Sequence, residues 1–202
     1  VIEVGTDTAV SATGSGVTIT NAGKIWGLKS AVELGDGNTL YNSGTMTGEV
    51  HSGLRIGSAN SVTNSGTITN DYGAVNVTGT DNAIDNSGSL LGGEAGISLD
   101  AGNNTVTNSG LIEGGQTGIK VSQLSTGNTI INSSSGQIFG GTMGIDLYGS
   151  GNEFINAGYV YGDFAGTGSY SGNTITNTGT IESAYIGVLL AGDNILTNSG
   201  DI

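Results

Sequence analysis

The side chains best suited to chemistry in this chain are few. Among them are two pairs of opposite charge, and the two members of each pair are about one repeat apart in the sequence. The chain has only four basic residues, Lys24, Lys29, Arg55 and Lys120, against 17 acidic ones. Glu33 and Arg55, and likewise Lys120 and Asp146, occupy equivalent positions in successive repeats, so we expect each pair to lie side by side on an outer face. We interpret them as exposed ion pairs of little energetic value. The alternative, a polysaccharide lyase or hydrolase, needs clustered carboxylates on one face.

Other reactive groups are isolated or missing. His51 is the only histidine, and without a Ser-His-Asp arrangement beside it we interpret it as a surface residue. The chain contains no cysteine, which excludes disulfides and thiolate metal sites. The segment Gly35-Asp36-Gly37-Asn38 is faintly similar to calcium-binding nonapeptides, but this chain does not have their short period. We therefore expect no enzymatic activity, no cofactor and no metal site.

One short phrase organises the whole chain: Asn, a small residue, Gly, then an aliphatic residue two places further on. Successive copies are separated by 21 to 24 residues, and they begin at Asn21, Asn42, Asn64, Asn86, Asn108, Asn132, Asn156, Asn177 and Asn198. A period of this length indicates an array of one stacked unit. We predict a single segment over residues 1–202, with an irregular first coil or cap at 1–16 and repeats at 17–202.

Each repeat contains three short apolar clusters that alternate in polarity and are bounded by Gly, Ser or Asn. In the repeat that begins at Asn42, the clusters centre on Met46, on Leu54 with Ile56, and on Val62. Alternation over three to five residues is typical of short strands, and helical periodicity is missing. The pattern predicts an all-β fold: a parallel β-helix, or β-solenoid, with about 22 residues and three strands per coil and roughly nine coils.

Two asparagines flank the third apolar cluster of each full repeat, and both share its inward face. An inward amide costs free energy unless it is hydrogen-bonded, and stacked amides can bond along the axis. Either positive φ or lack of room would explain the glycines at the bend, Gly44, Gly66 and Gly88. The predicted structural Asn ladders contain Asn38, Asn60, Asn82, Asn104, Asn128, Asn152, Asn173 and Asn194, and Asn42, Asn64, Asn86, Asn108, Asn132, Asn156, Asn177 and Asn198.

Three places depart from the pattern. The run between Val160 and Asn173 lacks the apolar pair of the second strand, and we expect a local irregularity there. Two residues are inserted at Asn132–Gly136, and the run Gln123–Gly127 is a further candidate for a loop.

The outward side of the first strand carries apolar residues in neighbouring coils. We predict a partner-binding surface there, because exposed apolar stripes mark contact sites; the alternative is that a side loop or a neighbouring molecule covers it. The residues are Leu91, Leu111, Phe139, Tyr159 and Tyr161, with Trp26 further away.

Composition limits the partners. The formal charge of −13 disfavours nucleic acid and anionic lipid, and no apolar run approaches the roughly 20 residues of a membrane-spanning helix. We expect no nucleic-acid partner and no membrane insertion of this segment. Because the chain stops part-way through a repeat, we expect it to be a segment of a longer protein.

The phrases NSGTITN, NSGLIEGGQTGIKV and GNTITNTGTIES resemble the repeats of autotransporter passenger domains and related haemagglutinin-like exoproteins of Gram-negative bacteria. The resemblance extends from Val17 onward and implies a right-handed parallel β-helix at the bacterial surface. Members of this group serve as adhesins, stalks, toxins or proteases, and no inserted catalytic domain is visible here.

The resemblance leaves three functions open. We expect a non-catalytic, secreted rod, either a stalk or an adhesin, whose partner is a ligand on a host or neighbouring cell. The first alternative is a self-assembling extracellular filament or surface-layer subunit, which would bind copies of itself through the coil ends. The second is a polysaccharide-processing β-helix enzyme.

Overall fold

The computed structural model describes all residues from 1 to 202 and is built from strands, turns and bends. It contains no helix of the length and apolarity needed to cross a membrane. The strands form three parallel sheets of nine strands each, and successive strands along the chain belong to sheets A, B and C in turn. This confirms the predicted parallel β-helix with three strands per coil.

The strand bounds follow the repeat. Sheet A contains β1 (Ile2–Val4), β4 (Lys24–Gly27), β7 (Thr45–Gly48), β10 (Thr67–Asn70), β13 (Ser89–Gly92), β16 (Leu111–Gly114), β19 (Gln137–Gly140), β22 (Tyr159–Gly162) and β25 (Thr180–Ser183). Sheet B contains β2 (Val10–Ala12), β5 (Ser30–Leu34), β8 (Ser52–Ile56), β11 (Gly73–Val77), β14 (Ala95–Leu99), β17 (Thr117–Val121), β20 (Met143–Leu147), β23 (Ala165–Ser169) and β26 (Ile186–Leu190). Sheet C contains β3 (Thr18–Asn21), β6 (Thr39–Asn42), β9 (Ser61–Asn64), β12 (Ala83–Asn86), β15 (Thr105–Asn108), β18 (Thr129–Asn132), β21 (Glu153–Asn156), β24 (Thr174–Asn177) and β27 (Ile195–Asn198).

Equivalent residues of successive coils stack directly on one another. In sheet A, Ile68 pairs with Met46 on one side and Leu90 on the other, and all three are fully buried. In sheet B, Val75 pairs with Ile97 in the same way. The predicted inward ladders are therefore confirmed. They form one continuous core along the axis, and burial of each large aliphatic side chain contributes about 1.5–3 kcal/mol.

The asparagine that ends each sheet C strand forms an unbroken hydrogen-bonded ladder, which we call the Asn42 ladder. In a typical rung, Asn86 Nδ2 donates to Asn108 Oδ1 of the next coil at 2.8 Å, and it also donates to Gly88 O at 3.3 Å. All eight links run in this direction, with N···O distances of 2.7–2.9 Å. The predicted ladder is thus confirmed, and the structure extends it to Asn21. Its members are Asn21, Asn42, Asn64, Asn86, Asn108, Asn132, Asn156, Asn177 and Asn198.

The asparagine before each sheet C strand forms a second ladder, which we call the Asn38 ladder, and its main donor is a backbone amide. The Asn60 backbone N–H donates to Asn82 Oδ1 at 2.8 Å, and the Asn60 Nδ2 donates to the same oxygen at 3.1 Å. The preceding residue often has positive φ, as at Ala59 with φ 57°, which sets the corner. Axial bonding was predicted correctly, but the part played by the backbone was not. The members are Asn38, Asn60, Asn82, Asn104, Asn128, Asn152, Asn173 and Asn194.

The glycine of the Asn-Ser-Gly bend is required by space. Gly88 has no positive φ, and a Cβ there would collide with the carbonyl oxygen of Gly66 in the coil below. Of the two explanations that the sequence allows, lack of room is therefore the correct one.

One expected irregularity is absent. The run between Val160 and Asn173 forms β23, which pairs with β20 and β26 like any other strand. Thr167 and Ser169 take the inward positions of the usual aliphatic pair and are fully buried. The prediction was wrong because backbone pairing on both sides imposes the strand even where the apolar signal is missing.

The other predicted departures are small turns. The insertion after Asn132 is a turn closed by the Gly136 backbone N–H, which donates to Ser133 O at 2.8 Å. The run Gln123–Gly127 includes a turn in which Leu124 is exposed and Ser125 is buried. The first 16 residues contribute the short strands β1 and β2, which pair in register with β4 and β5.

Candidate binding surfaces

The predicted partner residues form a zigzag across the outer face of sheet A, which we call the sheet-A patch. Strand register places them in two adjacent outward rows: the steps from Leu91 to Leu111, Phe139 and Tyr159 are diagonal, and Tyr161 pairs directly with Phe139. Diagonal neighbours on a sheet face are about 7–8 Å apart, within reach of aromatic and long side chains. All five are half-buried. The patch consists of Leu91 in β13, Leu111 in β16, Phe139 in β19, and Tyr159 and Tyr161 in β22.

The aromatic end of the patch is ordered by its own contacts. The Phe139 and Tyr159 ring centroids lie 5.6 Å apart with the planes tilted by 50°, a favourable aromatic geometry. The Tyr159 hydroxyl donates to Glu182 Oε2 at 2.7 Å. Burial and this neighbouring carboxylate raise the pKa of Tyr159 to about 12, and a hydrogen bond to Asp163 raises the pKa of Tyr161. Both phenols therefore stay neutral donors at physiological pH.

A shallow groove of about 490 Å³ lies beside the aromatic end. Part of its floor is bare backbone, because a Cβ at Gly114 would collide with the carbonyl oxygen of Thr117 at the corner between sheets A and B. The groove combines ring faces, main-chain groups and two carboxylates. Its walls include Glu113, Phe139, Tyr161 and Asp163.

The charged pairs of sheet B are adjacent but do not form the predicted ion pairs. Register places Glu33 beside Arg55 and Lys120 beside Asp146. Neither pair forms a salt bridge within 4.0 Å; the salt bridges are Lys24–Glu3 and Lys29–Asp7. The interpretation as ion pairs was wrong: Arg55 and Lys120 are long, exposed side chains that gain little from pairing, and neither reaches the more buried carboxylate beside it.

A second groove, of about 320 Å³, follows the outer face of sheet B from the turn before β8 to the end of β20. We call it the sheet-B groove. Each coil contributes polar side chains at an equivalent position on this face, so that hydrogen-bonding groups form a row along the axis. Its walls include His51, Asn76, Ser98, Gln116, Lys120 and Asp146, with Tyr72 and Tyr148 near the two ends.

Asp146 is the most unusual residue of this groove. It is only 7% exposed, and its Oδ1 has no hydrogen-bond partner. Burial raises the pKa of Asp146 to about 6, against an opposing effect of the Lys120 charge. Gly168 is its register neighbour in the next coil and offers no side chain there.

Two tyrosines stack beside Asp146. Tyr148 and Tyr170 have ring centroids 4.3 Å apart and planes within 19°. Burial and the nearby Asp146 carboxylate raise the pKa of Tyr170. Sequence reasoning missed this group, although Tyr148 and Tyr170 are one repeat apart and the spacing could have shown that they stack.

Side chains that could ligate a metal ion are not clustered in this structure. No three His, Asp or Glu side chains are arranged to hold a metal ion. His51 is exposed, as predicted for a surface residue, and lies between the sheet-B groove and a second depression that also contains Arg55.

Comparison of this sequence with protein-family models, curated proteins and solved structures finds no match.

Proposed function

We propose that this chain is a non-catalytic structural and adhesive rod that acts at a bacterial surface, as a stalk or an adhesin. The observation that carries the proposal is the unbroken stack: every sheet has nine strands, and the Asn42 ladder continues through every coil. At about 4.8 Å per coil the nine coils are about 43 Å long.

The proposed mechanism is mechanical. Backbone hydrogen bonds along the axis and the two ladders resist bending and local opening. Loops of only a few residues connect the strands, which leaves proteases little extended backbone. Since no disulfide is available, this rigidity comes entirely from pairing and packing, and it persists in oxidising and reducing surroundings alike.

The sheet-A patch is the proposed adhesive surface. Its half-buried rings are flanked by carboxylates at Glu113, Asp163 and Glu182. Amphipathic aromatic residues contribute strongly to interfaces, because they bury a large area and keep a polar atom available. We propose that a ligand on a host or neighbouring cell contacts this patch.

Adhesion of protein-coated beads to cells tests the role of the patch. The double variant Phe139→Ser with Tyr161→Ser removes two of the three aromatic rings of the patch. The matched control is Thr67→Ser with Thr69→Ser, on the same face of β10. We expect the patch variant to lose most bead attachment and the control to keep it. Equal attachment by both variants would exclude the patch as the adhesive surface.

The non-catalytic part of the proposal has its own test. The purified chain is incubated with a panel of plant and bacterial polysaccharides, and new reducing ends and unsaturated products are measured. We expect no turnover. Robust cleavage of any of these polymers would replace the rod with an enzyme.

A further inference from the structure

We propose that the sheet-B groove binds a neutral oligosaccharide that lies along the axis of the stack. This site is separate from the sheet-A patch, and it can exist whether or not the patch is adhesive.

The shape of the groove suits a linear chain. Its walls come from consecutive coils, from His51 before β8 to Tyr148 after β20. Four steps between five coils, at about 4.8 Å each, give a length of roughly 19 Å. A groove of this length is open to a short chain of sugar rings and much longer than one small molecule needs.

The wall chemistry suits hydroxyl groups. Asn76, Gln116 and Thr117 line the groove and offer both donors and acceptors on their side chains. A sugar hydroxyl also donates and accepts, so it can form hydrogen bonds at any position along this row. An apolar ligand would leave these groups without partners, at a cost in free energy.

Two acceptors in the groove are already without partners. The Oδ1 atoms of Asp146 and Asn76 are buried and receive no hydrogen bond. A buried acceptor without a donor costs about 1–3 kcal/mol, so such atoms call for an explanation. Asp146 is more than nine-tenths buried and lies in the groove wall. Ligand hydroxyls would supply the missing donors once side chains adjust around them.

Tyrosines at the two ends of the groove provide the apolar contacts. Tyr148 is 46% exposed even though it stacks on Tyr170, and Tyr72 is 50% exposed. Sugar rings have C–H faces that pack against such aromatic surfaces, and a firmly stacked ring loses little conformational freedom on binding. Two ring platforms joined by a polar wall are therefore complementary to a chain of pyranose units.

The charge pattern favours a neutral ligand. Lys120 lies beside Asp146, and Glu94 is also in the wall, so local charges of both signs are present. The overall charge of −13 repels polyuronates and other polyanions. The groove therefore selects hydroxyl-rich chains without charge.

Titration calorimetry with cellopentaose, laminaripentaose, mannopentaose and N-acetylchitopentaose tests the proposal. The variants are Tyr148→Ala, which removes the ring platform, and Asp146→Asn, which keeps the size of the side chain. The control is Tyr41→Ala on sheet C, where the tyrosine is 49% exposed. Circular dichroism and thermal unfolding of each variant show whether it is folded.

We expect at least one pentaose to bind. Tyr148→Ala and Asp146→Asn should each weaken it about tenfold, and Tyr41→Ala should leave it unchanged. Absence of binding at millimolar concentrations, or binding that survives both groove variants, would overturn the proposal. Oligogalacturonate and the sheet-A patch variant are titrated in the same way. Tighter binding of oligogalacturonate, or loss of pentaose binding in the patch variant instead, would also overturn the proposal. None of these results would affect bead adhesion through the sheet-A patch.

Discussion

Two hydroxyls that replace aliphatic groups in β23 have opposite environments. Ser169 Oγ donates to Asn194 Oδ1 at 2.8 Å and accepts from Asn173 Nδ2 at 3.1 Å. Thr167 Oγ1 is buried without a partner, between Ile145 and Val188 of the adjacent coils. The serine is therefore integrated into the Asn38 ladder, and the threonine hydroxyl is a local cost.

Replacing Thr167 with valine should stabilise the protein. The change removes a hydroxyl without a partner and adds a methyl group to an apolar ladder, so we expect the free energy of unfolding to rise by about 1–3 kcal/mol. The control Ser169→Ala breaks two hydrogen bonds and should lower it by about 1–2 kcal/mol. Urea unfolding of both variants provides the measurement, and a less stable valine variant would contradict the assignment.

Asp146 should make stability fall as pH rises. Its pKa is about 6 in the folded chain against an ordinary 3.8, so between these values the folded state holds a proton that the unfolded state has lost. The contribution of protonated Asp146 to the free energy of unfolding is fully present below about pH 4 and is lost as the pH rises through 6. Its upper bound is about 3 kcal/mol.

Comparison of wild type with Asp146→Asn tests this sign. The asparagine variant cannot titrate, so its advantage in unfolding free energy should be small near pH 4 and reach about 2–3 kcal/mol at pH 7. A difference that is constant across this range would show that the carboxyl does not titrate in the folded protein with a raised pKa.

At the level of the element, the Asn42 ladder holds the end of each sheet C strand. Asn108 accepts from Asn86 at 2.8 Å and donates to Asn132 at 2.9 Å, and it is fully buried. Alanine at this position would remove both ladder bonds and leave Asn132 Oδ1 without its ladder donor, while Asn86 Nδ2 would keep its bonds to backbone carbonyls. We expect Asn108→Ala to cost about 2–5 kcal/mol, and the outward change Thr107→Ala in the same strand less than about 1 kcal/mol. Thermal unfolding compares the two, and equal effects would mean that the ladder contributes little.

The corner before β9 contains a strained backbone conformation that a single substitution can relieve. Ala59 has φ 57° and is exposed, and this conformation costs a residue with a Cβ about 1–2 kcal/mol. Ala59→Gly should therefore stabilise the fold by about 0.5–1 kcal/mol after the entropy cost of glycine. The same change at Ala83, an exposed position in β12, should destabilise by a similar amount. The opposite order of the two variants in unfolding midpoint would refute this account.

Sequence patterning predicted the elements well wherever one residue type repeats. The inward Ile, Leu and Val ladders and both asparagine ladders follow from alternation and from the period alone. β23 could not be predicted, because Thr167 and Ser169 carry no apolar signal and the strand is imposed by its neighbours. In the sheet-B groove, the adjacency of Lys120 and Asp146 was predictable. The burial of Asp146 was not, because it depends on how the corners fold around it.

For the whole molecule, stability is a sum over coils and their interfaces. After removal of one complete coil, the coils on either side of the deletion should still stack on each other in register. Deletion of Ser65–Asn86, which is 22 residues long, joins Asn64 to Ser87 and restores the same sequence at the junction. We expect a folded β-protein with a somewhat lower unfolding midpoint.

Deletion of half a coil is the control for that construction. Removal of Ser65–Val75 joins Asn64 to Asn76, so that turn residues fall where the sheet A strand belongs and β12 of sheet C falls where the sheet B strand belongs. We expect loss of cooperative unfolding by circular dichroism. If both deletions fold equally well, or if both fail, the coils are not equivalent units.

The Asn42 ladder also gives the rod a net dipole along its axis. Each side-chain amide points its N–H toward the following coil, in all eight links. Their dipoles, about 3.5 D for an amide group, therefore add instead of cancelling as they do between alternating strand groups. Uncharged side chains thus make the interior slightly more positive toward the later coils, and a coil inserted upside down would meet donor with donor.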